Sequence, residues 1–356
     1  MRVLQIGADR SKRGILYPGS SAFKRQEAYA KQLGNLDIIG FSLMGDGAHP
    51  VEEEGLSVYP TNSFSRLLYA VDAVRIARGL PVPDVVSVQD PFETGLVGRL
   101  ISWMKKVPLH VQVHTDFLSP EYARVSLMNR FRVLIAGFVL RRAARVRIVS
   151  ERVKQSIEAR YRLSVPVTVL PIFADVQRFK TATVDAAVTA RFARFKTKFL
   201  VVARLEREKN VALAIRAFAQ SARHDSCLII AGEGREAGKL ARLVQDLGIT
   251  GRVFFESNIA DIAPWYALAD IVLVPSRYEG YGLVTVEALA AGKPVLSTDV
   301  GIAGEAGAII APPGHFARAL RAWFENGPRT GELKEHPYKN FDEYVRAYCD
   351  DIRAVV

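Results

Sequence analysis

The sequence predicts an α/β protein made of two doubly wound domains in tandem. Strand-like and helix-like segments alternate along all 356 residues, the pattern of strand-helix-strand units on a parallel sheet. The strand-like segments are unbroken Val, Ile and Leu runs, not in-out alternations, so they suit strands covered on both faces. The alternation lapses once, between residues 171 and 197, where polar and alanine residues take over.

"RVLQIG" opens the first half and a helix-like run follows over 23–33. "LDIIGFS", a second helical run over 65–78, and then "PDVVSVQ", "LHVQVH", "RVRIVS" and "PVTVLP" complete it. In the second half, "KFLVVAR", "CLIIAG", "RVFFES", "DIVLVPS", "PVLST" and "AGAII" repeat the pattern. The lapse sets domains at 1–180 and 181–338. The tail "YKNFDEYVRAYCDDIRAVV" reads as an amphipathic helix, about 339–356, with no strand after it. It is free to pack back on the first domain. Ligands bind such sheets beyond the C-terminal ends of their strands, so two sheets in tandem predict one cleft between the domains.

With 49% hydrophobic and 24% charged residues, the composition is globular and the length allows two cores. Cys227 and Cys349 are too few for a disulfide framework and lack the paired spacing of a zinc site. The N-terminus becomes charged by its ninth residue, without the apolar core of a signal peptide. No apolar run nears the ~20 residues that span a bilayer, so a cytoplasmic protein is expected. The net charge of +11 favours anionic partners: nucleic acid, acidic lipid or phosphorylated small molecules. Nucleic acid is the least expected of these. No RNP, helix-turn-helix or zinc-finger signature is present, and the aromatics are not interleaved with the basic residues.

The densest chemistry lies in "PSRYEGYGLVTVEALAAGKPV", residues 275–295. It follows directly on a strand, at the ligand-facing edge of an open sheet. Gly280 and Gly282 let backbone approach a ligand closely, and a helix starting near Leu283 offers unpaired N–H groups to an anion. Glu287 falls about one turn inside that helix, where its carboxylate can accept two hydrogen bonds from a vicinal diol. Glu279, ahead of the helix, can do the same for another hydroxylated group. The plainer alternative is a helix start carrying a favourable acid, with Glu287 solvated. A second element, "VARLEREKNVALAIRAFA", places Arg204 and Lys209 just past another strand. Two cations there can hold a diphosphate, Arg as a fork and Lys as a point charge. A solvated charged turn fits the same residues.

Taken together, these elements resemble the family 4 retaining nucleotide-sugar glycosyltransferases. "EGYGLVTVE" matches that family's Glu-x7-Glu motif and "ARLEREKN" its Arg-x4-Lys element. The resemblance covers most of the chain and is strongest over 198–305. It implies the GT-B fold, two Rossmann-like domains facing a cleft, with acceptor bound by the first and nucleotide sugar by the second. Glu279 would bind donor-sugar hydroxyls, Glu287 the ribose diol, and Arg204 and Lys209 the diphosphate. The backbone of Tyr281, Gly282, Leu283 and Val284 would complete the phosphate site, and the main chain near Ser257 and Asn258 would read the base. The donor implied is a UDP- or GDP-sugar, and the acceptor a hydroxyl, lipid-linked glycan precursors included. The chain has no Asp-x-Asp motif. Two cations and a helix N-terminus can stabilise a departing diphosphate electrostatically, so neither cofactor nor metal is expected. A nucleotide-sugar epimerase of the same fold is the alternative enzyme, less consistent with the paired motifs. A non-catalytic basic membrane- or nucleic-acid-binding protein is the alternative outside catalysis.

The first half departs from the family pattern. Where a Gly-Gly loop is usual, "GADRSKRGILYPGSSAFKRQEA" offers only Gly19 and Ser20 as equivalents. Arg10 and Lys12 are phosphate or acceptor contacts, or a solvated loop. His114 ends a strand, with Asp116 behind it. The resemblance gives it a place lining the sugar site and a catalytic part beside Arg204, Lys209 and Glu279; a core histidine fits as well. Gln89 and Asp90 end the preceding strand and are expected on the acceptor side.

Over 124–147, Leu127, Met128, Phe131, Leu134, Ile135 and Phe138 fall at helical spacing among arginines 124, 130, 132, 141, 142, 145 and 147. A basic amphipathic helix of this kind can lie on an anionic membrane at its inner face. A core-facing stripe with a charged outer face explains the same spacing.

Overall fold

The computed structural model describes the whole chain except residues 9–13, 185, 222 and 335. The chain forms two compact units. The first holds Met1–Leu118, Ser126–Pro171 and Tyr338–Val356, and the second Ser119–Val125 and Ile172–Pro337.

The first unit is built on eight strands: β1 (Arg2–Gly7), β2 (Asn35–Gly40), β3 (Val51–Glu53), β4 (Leu56–Pro60), β5 (Val85–Val88), β6 (Leu109–Val113), β7 (Arg145–Ile148) and β8 (Val167–Val169). Their order is β3-β4-β2-β1-β5-β6-β7-β8. All neighbours run parallel except β3 against β4. From β1 the chain winds to one side through β2 and to the other through β5. The ends of β1 and β5 are therefore a topological switch point, where open sheets bind ligands.

The second unit has β9 (Thr197–Val202), β10 (Ser226–Ala231), β11 (Val253–Glu256), β12 (Ile271–Val274), β13 (Val295–Ser297) and β14 (Ile309–Ile310). Its order is β11-β10-β9-β12-β13-β14, parallel throughout. Its strands explain the unbroken apolar runs. Phe199, Val201, Leu228, Ile230, Ile271 and Leu273 join one buried cluster. The residues between them, Leu200, Cys227, Ile229 and Val272, join another on the opposite face. Alternate side chains point to opposite faces, and here both faces are covered. The switch point of this sheet lies between β9 and β12.

The structure moves three expectations. The units divide at Pro171–Ile172, not at 180/181. The helix Val176–Lys180 packs on the helices Ala263–Leu268 and Leu283–Ala290, with Phe179 edge-on to Tyr266 at 5.5 Å. Strands β3 and β4 are additional; β3 is a short edge strand with Glu52 and Glu53 exposed. The apolar stripe of the helix Leu127–Leu140 does not face the core. The helix buries Asn129, Ala136, Gly137, Val139 and Leu140 instead.

The tail forms the helix Phe341–Arg353 and lies against the helix Ser21–Leu33 in the first unit. Asn340 caps it by accepting from the Glu343 amide at 2.9 Å. Its buried polar groups find partners on the sheet. Tyr348 donates to Gln5 (3.1 Å) and accepts from Gln112 (2.9 Å). The Asp351 carboxylate accepts from Arg145 at 2.6 Å and meets His110 at 3.1 Å. Burial alone would raise the Asp351 carboxyl, but His110 and Arg145 hold it below its usual range. Among the described residues, no helix is long and apolar enough to cross a membrane.

Candidate functional site

At the switch point of the second sheet, the loop after β9 and the turn after β12 are stitched together. Asn210, in the left-handed region at φ 50°, donates from Nδ2 to the Pro275 carbonyl at 3.2 Å. The Arg277 amide donates to the Glu208 carbonyl at 2.7 Å. This brings Lys209 Nζ to 2.6 Å from Glu279 Oε1, which also accepts from the Ser276 hydroxyl at 2.8 Å. The two charged side chains are only 18% and 15% exposed, so the pair is largely out of water. Arg204 is different. Its side chain is 73% exposed and meets Glu208 at 3.2 Å, a surface contact worth little and readily exchanged for a ligand.

The helix Leu283–Ala290 begins at Gly282, whose φ of 99° suits glycine. No side chain caps it, so the amides of Leu283 and Val284 keep no acceptor within the helix. Tyr281 is buried, and its carbonyl accepts from the Ile302 amide at 2.9 Å. Gly301 seals that contact: at φ 52°, a Cβ there would sit 2.2 Å from the Tyr281 carbonyl oxygen. Gly301→Ala is therefore expected to cost at least about 2 kcal/mol and to displace the 279–281 turn, seen as a lower melting temperature.

Glu287 is half-buried and held by a partner. Its Oε2 accepts from the Tyr266 hydroxyl at 2.7 Å. Burial lifts its carboxyl to about 7, against the opposing pull of Tyr266 and Arg178. Ser257 and Asn258 lie past β11, at the sheet edge. Asn258, at φ 54°, donates its amide to Glu233 at 2.9 Å, and the Glu233 carbonyl accepts from the Leu205 amide at 2.7 Å. The structure thus gathers Arg204, Lys209, Glu279, the 280–284 turn and Glu287 at the switch point, and ties Ser257 and Asn258 in through Glu233. Tyr266, Ser276, Glu233 and Gly301 went unnoticed in the sequence. "AGEGREAG" and "DVGIAGE", glycine pairs directly after strands, were the available signal for the last two.

In the first unit, Gln89 follows β5 and its amide donates to the Ile6 carbonyl at 3.1 Å. Asp90 turns inward to accept from the Phe92 amide at 2.7 Å, and burial raises its carboxyl to about 6. His114 and Asp116 come just past β6. Burial, with the charges of Arg147 and Arg25, pulls the His114 imidazole down to about 3, which favours its neutral form. Ser20 caps the helix Ser21–Leu33, accepting from the Phe23 amide at 2.9 Å and donating to the Gly14 carbonyl at 2.9 Å. Gly19, at φ 82°, faces open space. Arg10 and Lys12 lie outside the described residues. Among the described residues, no three His, Cys, Asp or Glu side chains gather into a metal-holding group.

Two family models match this chain. The "Glycosyl transferase 4-like domain" covers residues 32–172. "Glycosyl transferases group 1" covers 191–343, with Arg204, Lys209, Glu279 and Glu287 inside it. The chain belongs to the group 1 glycosyl transferase family.

Among its relatives, D-inositol 3-phosphate glycosyltransferase 1 of Catenulispora acidiphila is 33% identical over 156 residues, 38% of this chain and 37% of that protein. Alpha-monoglucosyldiacylglycerol synthase of Streptococcus pneumoniae is 26% identical over 231 residues, 60% of this chain and 51% of that protein. The chain thus spans about half or less of these relatives' length. Among solved structures, Anabaena HepE in complex with UDP superposes with a TM-score of 0.69 at 20% identity, over 100% of this chain and 97% of that one. Sucrose-phosphate synthase from Thermosynechococcus elongatus gives 0.73 at 16%, over 100% and 95%. At such identities the likeness establishes the fold, which is GT-B.

Proposed function

We propose that this group 1 family member is a retaining glycosyltransferase that moves a sugar from a UDP- or GDP-sugar to a hydroxyl acceptor. The observation that carries the reading is the site at the β9/β12 switch point, where two cations, an uncapped helix start and two carboxylates converge. Arg204, Lys209 and the amides of Leu283 and Val284 hold the diphosphate. Glu279 accepts from donor-sugar hydroxyls, and Glu287 from the ribose diol. As the bond from the anomeric carbon to the leaving oxygen breaks, negative charge grows on the diphosphate, where the cations and helix end are already in place. The acceptor hydroxyl adds on the face the diphosphate leaves, and its proton passes to the leaving phosphate oxygen. A divalent metal has no necessary part in these steps. Gln89, Asp90 and Asp116 serve the acceptor. His114 lines the sugar site, where a neutral imidazole offers a hydrogen bond without adding charge.

The names of related proteins support this reading: HepE was crystallised with UDP, and one relative is a diacylglycerol glycolipid synthase. A thermal-shift panel of UDP, GDP, ADP and their sugars, in EDTA, tests it. One nucleotide family is expected to raise the melting temperature, equivalent to about 2.7 kcal/mol at a hundredfold excess over Kd. Glu287→Ala and Arg204→Ala should each shrink that shift. If no nucleotide stabilises the wild type, the transferase reading fails. A shift that survives both substitutions removes the site assignment alone.

A further inference from the structure

The helix Leu127–Leu140 turns its apolar stripe outward. Leu127, Phe131 and Leu134 are 61–69% exposed, while the opposite face takes the core. The neighbouring helix Glu93–Lys105 packs against it: Glu93 pairs with Arg132 at 2.8 Å, and Gly95 lies on Val139. It repeats the arrangement. Leu96, Leu100 and Trp103 stand one helical turn apart on its outer face, Trp103 being 67% exposed. A single exposed leucine is ordinary, but outward apolar rows on two adjacent helices mark an interaction surface.

Apart from Glu93, which Arg132 neutralises, the charges of these two helix stretches have one sign. Residues 96–106 and 127–142 contain Arg99, Lys105, Lys106, Arg130, Arg132, Arg141 and Arg142, and no carboxylate. The Arg142 guanidinium lies 3.9 Å from the centre of the Phe138 ring. Arg99, Trp103 and Lys106 help line an open concavity of about 690 Å³. A second copy of the chain is a poor occupant, because a two-fold contact through this face would set its cations against themselves.

We propose that these two helices dock the protein on an anionic lipid bilayer. Trp103, Phe131 and Leu134 enter the boundary between headgroups and acyl chains, and Arg99, Lys106, Arg141 and Arg142 meet lipid phosphates. The helix Glu93–Lys105 starts three residues after Asp90, so the docking face borders the strand ends assigned to the acceptor. That bordering role rests on the transferase reading; the docking itself does not.

Flotation of the full chain with vesicles tests it, using phosphatidylcholine alone or mixed with phosphatidylglycerol, at low and high salt. Binding is expected only to the anionic vesicles and should fall with salt. Phe131→Ser with Leu134→Ser, and separately Arg141→Glu with Arg142→Glu, should each cut vesicle partitioning about tenfold or more while leaving the nucleotide-induced melting shift intact. The arginine pair is at the surface and serves if the apolar pair fails to fold. No flotation with anionic vesicles at low salt overturns the proposal. So does equal binding to neutral vesicles, undiminished binding by the folded variants, or a stable dimer in sedimentation that the arginine pair abolishes. Vesicle binding without any nucleotide shift leaves the docking standing and removes the transferase reading.

Discussion

Lys209→Ala is expected to lower release of nucleoside diphosphate from the productive sugar donor by about 100-fold or more, and to lower the melting temperature as well. Two effects combine. In the proposed reaction, the substitution removes a cation from the charge that develops on the leaving diphosphate. It also leaves Glu279, 15% exposed, with the Ser276 hydroxyl in place of an ammonium 2.6 Å away. Removing one partner of a largely desolvated pair costs more than the pair contributes. The two effects separate in Lys209→Ala with Glu279→Gln. A neutral amide no longer needs the cation, so the melting temperature should recover while turnover stays low. Turnover at the wild-type level in Lys209→Ala would reduce Lys209 to a structural partner of Glu279.

Glu287→Gln is expected to change the pH dependence of both stability and nucleotide binding. Burial raises this carboxyl from its ordinary value near 4.5 to about 7, so the folded protein holds the proton more tightly than the unfolded chain. Its contribution to stability is complete below the ordinary value, is lost as pH rises to about 7, and is constant above that. The loss is on the order of 3 kcal/mol at most. The glutamine keeps an acceptor for Tyr266 and has nothing to ionise, so its stability should lack this fall between about pH 4.5 and 7. Binding runs the other way. An ionised carboxylate accepts both hydrogen bonds of a diol, so nucleotide affinity of the wild type should climb as pH rises through 7. The variant should bind about tenfold more weakly at pH 8, with a flat profile. A wild-type affinity that does not change between pH 5.5 and 8 would remove Glu287 from the ribose.

The strands bearing the site were legible because burial on both faces leaves an apolar run that composition alone reveals. The β3–β4 edge was not, since Glu52, Glu53 and Glu54 interrupt the run and a half-exposed hairpin needs few apolar residues. Glu279 and Glu287 were legible because their spacing is a local property of one turn and one helix. Tyr266, which holds Glu287, and Gly301, which holds the 279–281 turn, sit 21 and 20 residues from Glu287 and Tyr281. Such contacts exist only after folding. The stripe of the helix Leu127–Leu140 was read toward the core as one choice of two. A helix apolar nearly all round does not announce its inner face; the small residues Ala136 and Gly137 decide it by allowing close approach to the rest of the unit.

The placement of the last helix has a consequence for how the protein is made. The first unit is discontinuous in the chain: Tyr338–Val356 completes it after the whole of Ile172–Pro337 has been synthesised. Until then Gln112, His110 and Arg145 lack Tyr348 and Asp351, their partners in the finished fold. A chain emerging from the ribosome can therefore finish its second unit first, while the opening strands wait, partly assembled, for the closing helix. Quality control during translation would meet the N-terminal half in its incomplete form, and a frameshift or stop codon ahead of the codon for Tyr338 would strand it there.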